Sequence, residues 1–436
     1  MRRSSDSVSE NRYGAKLDSP GRRNALKSLA IVLQDSSTGG WRYTLRLIEG
    51  IKAVRPELDM TAYLGRGIHR IDKVDSPREV LERFGVRVKK MPSLRPIDRR
   101  RTSKYVTSVL RRFLEKPLYY RWISDIQRHD MSLFAWPFGI ECPPIQKPMV
   151  FVPHDFNYTH FVGTFVDRKS DLGLFKAMHQ RWIDRAHAIV SSNFIADELM
   201  RTFPGASAPR VIPLSQLGQE GACSSDTVAN TLDALQIHGD YLLCLNNLSA
   251  HKNLGQVIAG FHYAKKRFPN TRLVIAGHGT DGIRGNASVP WYLDHVAEGG
   301  DVISLGLRSD EEIKSLIQGA RLVINGSVYE AGNGSGLDAW SLGTPVAMSA
   351  IPPFLEQMQR LGVHAETFNP RCCYEIGDAI VRLMEDPIRA ARLAECSQQA
   401  MQRYTWTDVA AQYVDYFERV LPPIYTEERQ VFTNAA

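Results

Sequence analysis

The segment from Ala320 to Val346, ARLVINGSVYEAGNGSGLDAWSLGTPV, constrains the fold more than any other stretch of the chain. An apolar, β-rich run (Leu322, Val323, Ile324) ends at Asn325-Gly326. A carboxylate, Glu330, follows, then three glycines at alternate positions, Gly332, Gly334 and Gly336. A helical pattern begins at Leu337 and stops at Gly343-Thr344-Pro345. A strand that feeds a glycine-rich turn and then a helix aims unpaired backbone N–H groups and the positive helix end at one point, which suits a phosphate. Glu330 and Asp338 flank that point and can hold sugar or ribose hydroxyls. The segment predicts an anion site with a polyol clamp. A dinucleotide fingerprint does not fit, because Gly332-x-Gly334 would need a third glycine where Leu337 stands.

The chain has 436 residues, enough for two domains with separate cores. No run approaches ~18 uninterrupted apolar residues, so no transmembrane helix is expected. The first 28 residues lack an apolar stretch of signal-peptide type, and the absence of such a signal points to a cytoplasmic protein. Six cysteines are scattered without metal-ligand spacing and read as reduced structural thiols. The formal charge of +7 is unevenly placed: +4 falls on residues 1–28 and +10 on residues 87–121, leaving −7 for the rest. The basicity is therefore a local patch.

Short apolar runs alternate with helical patterns throughout. Residues 1–28 read as a disordered basic tail. Strand signals follow at Leu29–Leu33, Met60–Leu64, Leu133–Ala135, Met149–Val152, Ala188–Val190 and Val211-Ile212. Helical patterns separate them, notably Leu174–Arg185 and Asn193–Thr202. Such alternation predicts a parallel sheet wrapped by helices over 29–215. Polar residues 216–240 read as a linker. A second set of strands, Tyr241–Leu245, Leu273–Ala276, Val302–Leu305 and Leu322–Ile324, predicts another doubly wound unit over 241–406. An amphipathic helix, 407–425, closes the chain. The expected class is α/β, two Rossmann-like halves facing each other across a cleft.

The Glu330–Asp338 segment resembles the E-x7-E region of retaining GT-B glycosyltransferases of the family 4 type, written E-G-x-G-x-x-x-x-E and followed by A-x-A-x-G-x-P-V. Here the second carboxylate is Asp, one methylene shorter. The resemblance spans about residues 29–420 and implies roles for individual residues. Lys252 and Asn253 of N-N-L-S-A-H-K-N match the end of the family's G-R-x-x-x-x-K-N, whose basic pair grips the donor diphosphate. Asn247 stands in place of the arginine, and a planar bidentate donor is not replaced by an amide. Gly277-His278-Gly279 matches an A-G-x-G turn. Leu307 and Arg308, after the strand that ends at Leu305, would neighbour the base. Gly39-Gly40 would approach the donor phosphates from the opposite unit. His154, at the end of Val150–Val152 and followed by Asp155, matches a V-x-H-D segment whose histidine sits beside the reacting sugar. The closing helix would cross back onto the first unit.

Together these imply a retaining enzyme that moves a sugar from a nucleotide-diphosphate donor to a glycan or lipid-linked acceptor, in polysaccharide or glycolipid biosynthesis. The H-K-N variant leans toward GDP-mannose. His154 and Glu330 are the catalytic candidates. Gly39, Gly40, Asn247, Lys252, Leu307, Arg308, Glu330, Gly334, Ser335, Gly336, Leu337 and Asp338 are the donor-binding ones. No metal and no cofactor are expected, since Lys252 and a helix N-terminus can stabilise the leaving charge. A noncatalytic GT-B subunit that binds membrane or glycan is the alternative, supported by Asn247 and Asp338. The patterned helix Ser103–Lys116 within the basic segment fits either peripheral contact with an anionic membrane or packing on its own unit. No nucleic-acid motif accompanies the charge.

Overall fold

The computed structural model describes residues 25–33, 38–65, 77–92, 116–135, 137, 141–161, 169–218, 221–285 and 300–422. The patterned helix Ser103–Lys116 lies outside the described residues except at Lys116, as does the tail up to residue 24. Two all-parallel sheets form the molecule. The first has seven strands: β1 (Ser28–Leu33), β2 (Asp59–Leu64), β3 (Arg87–Lys90), β4 (Met131–Phe134), β5 (Met149–Phe151), β6 (His187–Val190) and β7 (Arg210–Val211). Their order is β3-β2-β1-β4-β5-β6-β7. The second has six: β8 (Tyr241–Leu245), β9 (Arg272–Ala276), β10 (Val302–Gly306), β11 (Leu322–Asn325), β12 (Val346–Ser349) and β13 (Glu366–Phe368), in the order β10-β9-β8-β11-β12-β13. The expected α/β class holds.

The central strands read as continuous apolar runs because helices cover both faces of each sheet. Leu29 to Leu33 of β1 are all buried, with one face in each of two apolar clusters. The second sheet is likewise sandwiched between two clusters. Strand order reverses beside β1, between β2 and β4, and beside β8, between β9 and β11. Connections from such neighbours leave in opposite directions, opening a crevice at the carboxyl ends of the strands. Residues 39–40, 246–252 and 326–333 all follow the carboxyl ends of these central strands.

Three strands lie outside the strand signals given above. β3, Arg-Val-Lys-Lys, is a short edge strand whose charges guard an open edge. β12 and β13 are brief and follow a motif or precede a helix. Within residues 216–240 the chain forms a helix, Ser225–Ala234, capped by Ser224 Oγ accepting the Thr227 N–H at 3.1 Å. Order also begins before residue 29, because Leu26 is buried in the first core and its N–H reaches Glu418 Oε1 at 3.3 Å.

The helix Trp406–Val420 packs on the first unit. Trp406, Val409, Ala410, Tyr413, Val414 and Phe417 join the core formed by β1 and the helix Thr38–Val54. The Tyr43 and Tyr413 hydroxyls are hydrogen-bonded inside this seam, and Arg55 Nη1 donates to Glu418 Oε1 at 2.6 Å at its end. Gly50 sets how closely the helices approach: a Cβ there would lie 2.5 Å from the Trp406 carbonyl oxygen. Gly50→Ala should therefore cost about 1–3 kcal/mol through overpacking. Gly173→Ala, at an exposed position of the helix Lys169–Ile183 with nothing within 4 Å of the new Cβ, should gain up to about 1 kcal/mol. Urea midpoints of the two variants test the contrast; equal effects would refute the crowding argument.

Candidate active site

The loop after β11 is shaped by amides. Asn325 Oδ1 accepts the Ser327 N–H at 3.1 Å, and Ser327 Oγ lies 2.7 Å from Asn325 Oδ1 and 2.8 Å from Glu330 Oε1. Glu330 Oε1 also accepts from Lys252 Nζ, and both side chains are mostly buried. Lys252 arrives from the β8 side, at the end of a short 3-10 turn, Ala250–Lys252. The Val328 N–H donates to His251 O at 2.8 Å and locks that turn to the β11 loop. Asn253 adopts a left-handed backbone (φ 58°), which asparagine tolerates better than most residues. Its Nδ2 donates to Gly326 O (3.0 Å) and Pro370 O (2.7 Å), so it braces the turn.

The helix Gly334–Ser341 starts at Asn333, a fully buried N-cap that sequence reasoning passed over. Asn333 Oδ1 accepts from the Gly336 N–H and from Asn325 Nδ2, each at 2.8 Å. A Cβ on Gly336 would stand 2.3 Å from Asn333 Nδ2, so the cap demands glycine there. Leu337 N donates to Asn333 O at 2.9 Å, and the Leu337 side chain is buried in the second core. Of the first helical N–H groups, those of Gly336 and Leu337 are thus satisfied by Asn333. Those of Gly334 and Ser335 have no partner among the described residues. This narrows the expected anion contact, which had included Gly336 and Leu337. The Ser335 hydroxyl lies 3.2 Å from Asn333 Oδ1.

Asp338 is 6% exposed, and its Oδ1 accepts the N–H groups of Leu217 (2.7 Å) and Gly218 (2.8 Å). Burial pushes its carboxyl up, and the Arg42 charge pulls it back. The expected ribose carboxylate is thus engaged with the linker. Arg42, from the first unit, also pairs with Asp310 of the second. Together with Asp338 they line an interdomain cavity of about 410 Å³. Asn247 Oδ1 accepts the Ser249 N–H at 3.0 Å, a local turn of the Asx kind. Arg308 folds back, donating to Leu305 O at 2.6 Å and pairing with Glu312 at 3.5 Å, while Leu307 stays partly exposed beside it. Gly277 (φ 151°) donates to Gly306 O at 2.9 Å, and a Cβ there would meet Asn246 O at 2.2 Å.

The first unit faces these groups with His154 and Asp155. Gly39 and Gly40, expected in a turn, instead occupy the first turn of the helix Thr38–Val54, where Thr44 Oγ1 donates to Gly40 O at 2.9 Å. His154 holds a left-handed backbone (φ 57°), an uncommon state for a non-glycine residue and one found often at functional sites. Its Nε2 lies 2.7 Å from Ala135 O, at the end of β4, and its ring meets Tyr43 edge-on at 4.8 Å. A carbonyl accepts only, so Nε2 carries the proton. Burial lowers its pKa to about 4, leaving the ring neutral. Burial raises Asp155 to about 7; the Asn157 N–H opposes this, the Glu330 charge adds to it and the Lys252 charge opposes it. Asp155 thus belongs electrostatically with Glu330 and Lys252, although only its neighbour His154 was singled out from sequence. His251, on the β8 side, is also lowered to about 4 by burial. Among the described residues, no group of three or more His, Cys, Asp or Glu could hold a metal ion.

Two facing doubly wound units with a basic residue, a carboxylate and a helix N-terminus at one crevice define a protein of the GT-B class. Solved structures share this architecture. Anabaena HepE, solved with UDP and glucose, superposes with a TM-score of 0.67 at 17% identity, covering 90% of this chain and 100% of that one. WaaG, described as a glycosyltransferase involved in lipopolysaccharide biosynthesis, gives 0.64 at 11% identity, with 89% and 99% covered. Residues 236–400 match the family model for glycosyl transferases group 1, and the chain is similar over that part to glycosyltransferases of that type. An uncharacterized glycosyltransferase of Methanocaldococcus jannaschii is 23% identical over 63% of this chain and 76% of its own length. The GDP-mannose:cellobiosyl-diphosphopolyprenol alpha-mannosyltransferase of Xanthomonas oryzae pv. oryzae is 27% identical over 42% of this chain and 48% of its own length. The chain therefore spans about half the length of that second relative.

The Asp155 environment makes a pH-dependent prediction. Its folded pKa lies above the ordinary value, so the folded state holds a proton that the unfolded chain releases between about pH 4 and 7. That contribution is complete below the ordinary value and is lost as pH rises through about 7. Asp155→Asn should remove this loss, so the variant gains on the parent in urea midpoint between pH 4 and pH 8. Parallel profiles would show that Asp155 is not held protonated.

Proposed function

We propose that this chain transfers a hexose-type sugar, with retention of anomeric configuration, from a nucleoside-diphosphate donor to a glycan or lipid-linked acceptor. The observation that carries the reading is the Lys252–Glu330 pair beside the N-terminus of the helix Gly334–Ser341. In this reading the second unit, 241–406, holds the donor and the first, 29–215, presents the acceptor. Breaking the glycosidic bond builds negative charge on the departing diphosphate. Lys252 and the Gly334 and Ser335 amides stabilise it as preorganised electrostatics. Glu330 holds donor-sugar hydroxyls, and neutral His154 orients the sugar from the acceptor side. Leu307 flanks the base. Asp338 serves the interdomain join, in place of the ribose contact.

A donor of the GDP-mannose kind is favoured by the name of the Xanthomonas relative, while the HepE structures hold UDP and UDP-glucose. A donor panel therefore needs both bases. Nucleotide release from such a panel, with and without acceptor lipid, tests the reading; anomeric configuration by NMR tests retention. Release from no donor would favour the noncatalytic alternative, to which Asn247, turned into a local contact, lends support.

Glu330→Gln should reduce transfer by about two orders of magnitude while the fold persists, because it keeps shape and removes charge. Lys252→Ala should weaken nucleoside-diphosphate binding about 10- to 150-fold, the equivalent of a charge-assisted hydrogen bond of about 1.5–3 kcal/mol. Calorimetry showing unchanged affinity would refute the Lys252 assignment.

The proposed peripheral contact with an anionic membrane is supported by the helix Lys116–Ile126, where Leu118 and Tyr120 are 56% and 61% exposed beside exposed Arg121. Leu118→Ser with Tyr120→Ser should weaken binding to anionic vesicles and leave the melting temperature within a degree or two, since neither side chain is in the core. Added salt should weaken the parent's binding as well. Vesicle binding that is absent in the parent would sink the membrane contact.

A further inference from the structure

Tyr329 belongs by sequence to the second unit and by packing to the first. It is 7% exposed. Its hydroxyl donates to Glu198 Oε2 and accepts the Phe156 N–H at 3.0 Å. Its ring lies 4.8 Å from the His160 ring, 6.1 Å from Phe194 and 6.2 Å from Phe161, all residues of the first unit. Glu198 is 2% exposed, and its other oxygen is held by His160 Nε2. Burial, then the charges of Asp155 and Glu198, push the Tyr329 hydroxyl up, so it stays a donor.

The residue on the other side of Glu330 is tied to the first unit too. The Ser191 and Ser192 hydroxyls donate to Ala331 O at 3.2 and 3.4 Å. Glu330 itself turns to Lys252 and Ser327, in the second unit. The carboxylate is therefore held at its flanks by one unit and at its tip by the other. Phe156, whose N–H meets the Tyr329 hydroxyl, is one residue beyond Asp155 and two beyond His154. A carboxylate as buried as Glu198 is costly unless both oxygens are used. Here one of them is used by the residue next to Glu330.

We propose that Tyr329 is a positioning residue whose hydroxyl, through Glu198 and the Phe156 N–H, sets the register between Glu330 and the His154-Asp155 pair. This rests on the transferase reading given above. The donor nucleotide is bound within the second unit, so losing the register leaves donor affinity intact and slows the chemical step. Misplacement of about 1 Å at a reacting centre is enough for losses of about 100-fold.

The test is Tyr329→Phe, which keeps the ring and removes both hydrogen bonds. The expected result is a kcat at least about 10-fold lower, with donor KM and nucleoside-diphosphate affinity by calorimetry within about 3-fold of the parent. Glu198→Gln, which still offers an oxygen to the tyrosine, should keep most of the parent's kcat. If Tyr329→Phe does not fold, Tyr329→Phe with Glu198→Gln removes the stranded charge and should show the same kcat loss. A kcat equal to the parent's, or a loss lying wholly in KM, overturns the proposal. Hydrogen exchange at the Phe156 amide gives a readout without activity: it should accelerate in Tyr329→Phe. If the parent transfers from no donor, the transferase reading fails, and an unchanged Phe156 exchange rate would separately overturn the Tyr329 contact.

Discussion

The Lys252–Glu330 ion pair can form only because β8 and β11 are neighbours in space and far apart in sequence. The two residues sit on loops that leave the carboxyl ends of adjacent parallel strands at the point where strand order reverses. Two loops diverging from that point would otherwise splay. They are held together by the Val328–His251 backbone bond and the Asn253 bridge to Gly326 and Pro370. Pairing a mostly buried ammonium with a mostly buried carboxylate offsets the desolvation of both and fixes their geometry. The helix at Gly334 is then aimed by Asn325 and Asn333, whose amides join the strand end to the helix start. Each element of the site is placed by the strand-end topology first and by side-chain amides second.

The two departures from the family pattern have local explanations. Asn247 cannot supply the charge of an arginine, and its amide is spent on turning the chain toward Ser249. Asp338 is shorter than glutamate by one methylene and lies within 2.8 Å of two linker N–H groups. A carboxylate at that depth needs donors, and the linker provides them. In the proposed reading, charge toward the diphosphate is thereby concentrated on Lys252 and the helix end, which makes the geometry of that one lysine more consequential than it would be beside an arginine.

Much of the fold was legible because its signals are local. The helix Asn193–Thr202 matches its sequence-based bounds, since Ser192 caps it and its apolar face repeats at helical spacing. The helix that begins at Asp310 is announced by Ser309 and Glu312, which form a capping box. β1, β8 and β11 stand out as short apolar runs. Most of what escaped has no local signature. β3 is charged and at an edge. The helix Ser225–Ala234 is polar apart from Val228, Leu232 and two alanines, and none of its residues is buried. In the site, Glu330 and Lys252 lie in recognisable strings of residues. Asn333, Tyr329 and Glu198 acquire their settings from partners between 8 and 173 residues away in sequence, and Asp155 feels the charges of Lys252 and Glu330 from the other unit. A sequence pattern cannot show that Glu198 is buried, nor that a tyrosine from the other unit is what satisfies it.

The two units meet along two chemically different seams. The helix Trp406–Val420 lays an apolar face of Trp, Val, Tyr and Phe side chains on the first core, and separating that seam would expose all of it to water. Elsewhere carboxylates of one unit receive donors from the other, and the Tyr329 ring packs among His160, Phe161 and Phe194. Glu356 accepts the Asn193 and Phe194 N–H groups at 2.7 and 3.1 Å, Asp310 takes Arg42, and Glu198 takes Tyr329. The more exposed of these pairs contribute little, whereas Glu198, 2% exposed, is costly to leave without its donors. The join beside Glu330 therefore rests on a buried carboxylate and a packed aromatic ring as well as on ion pairs. Glu330 lies beside that join, so the donors given to Glu198 and the packing of Tyr329 bear on where its carboxylate sits.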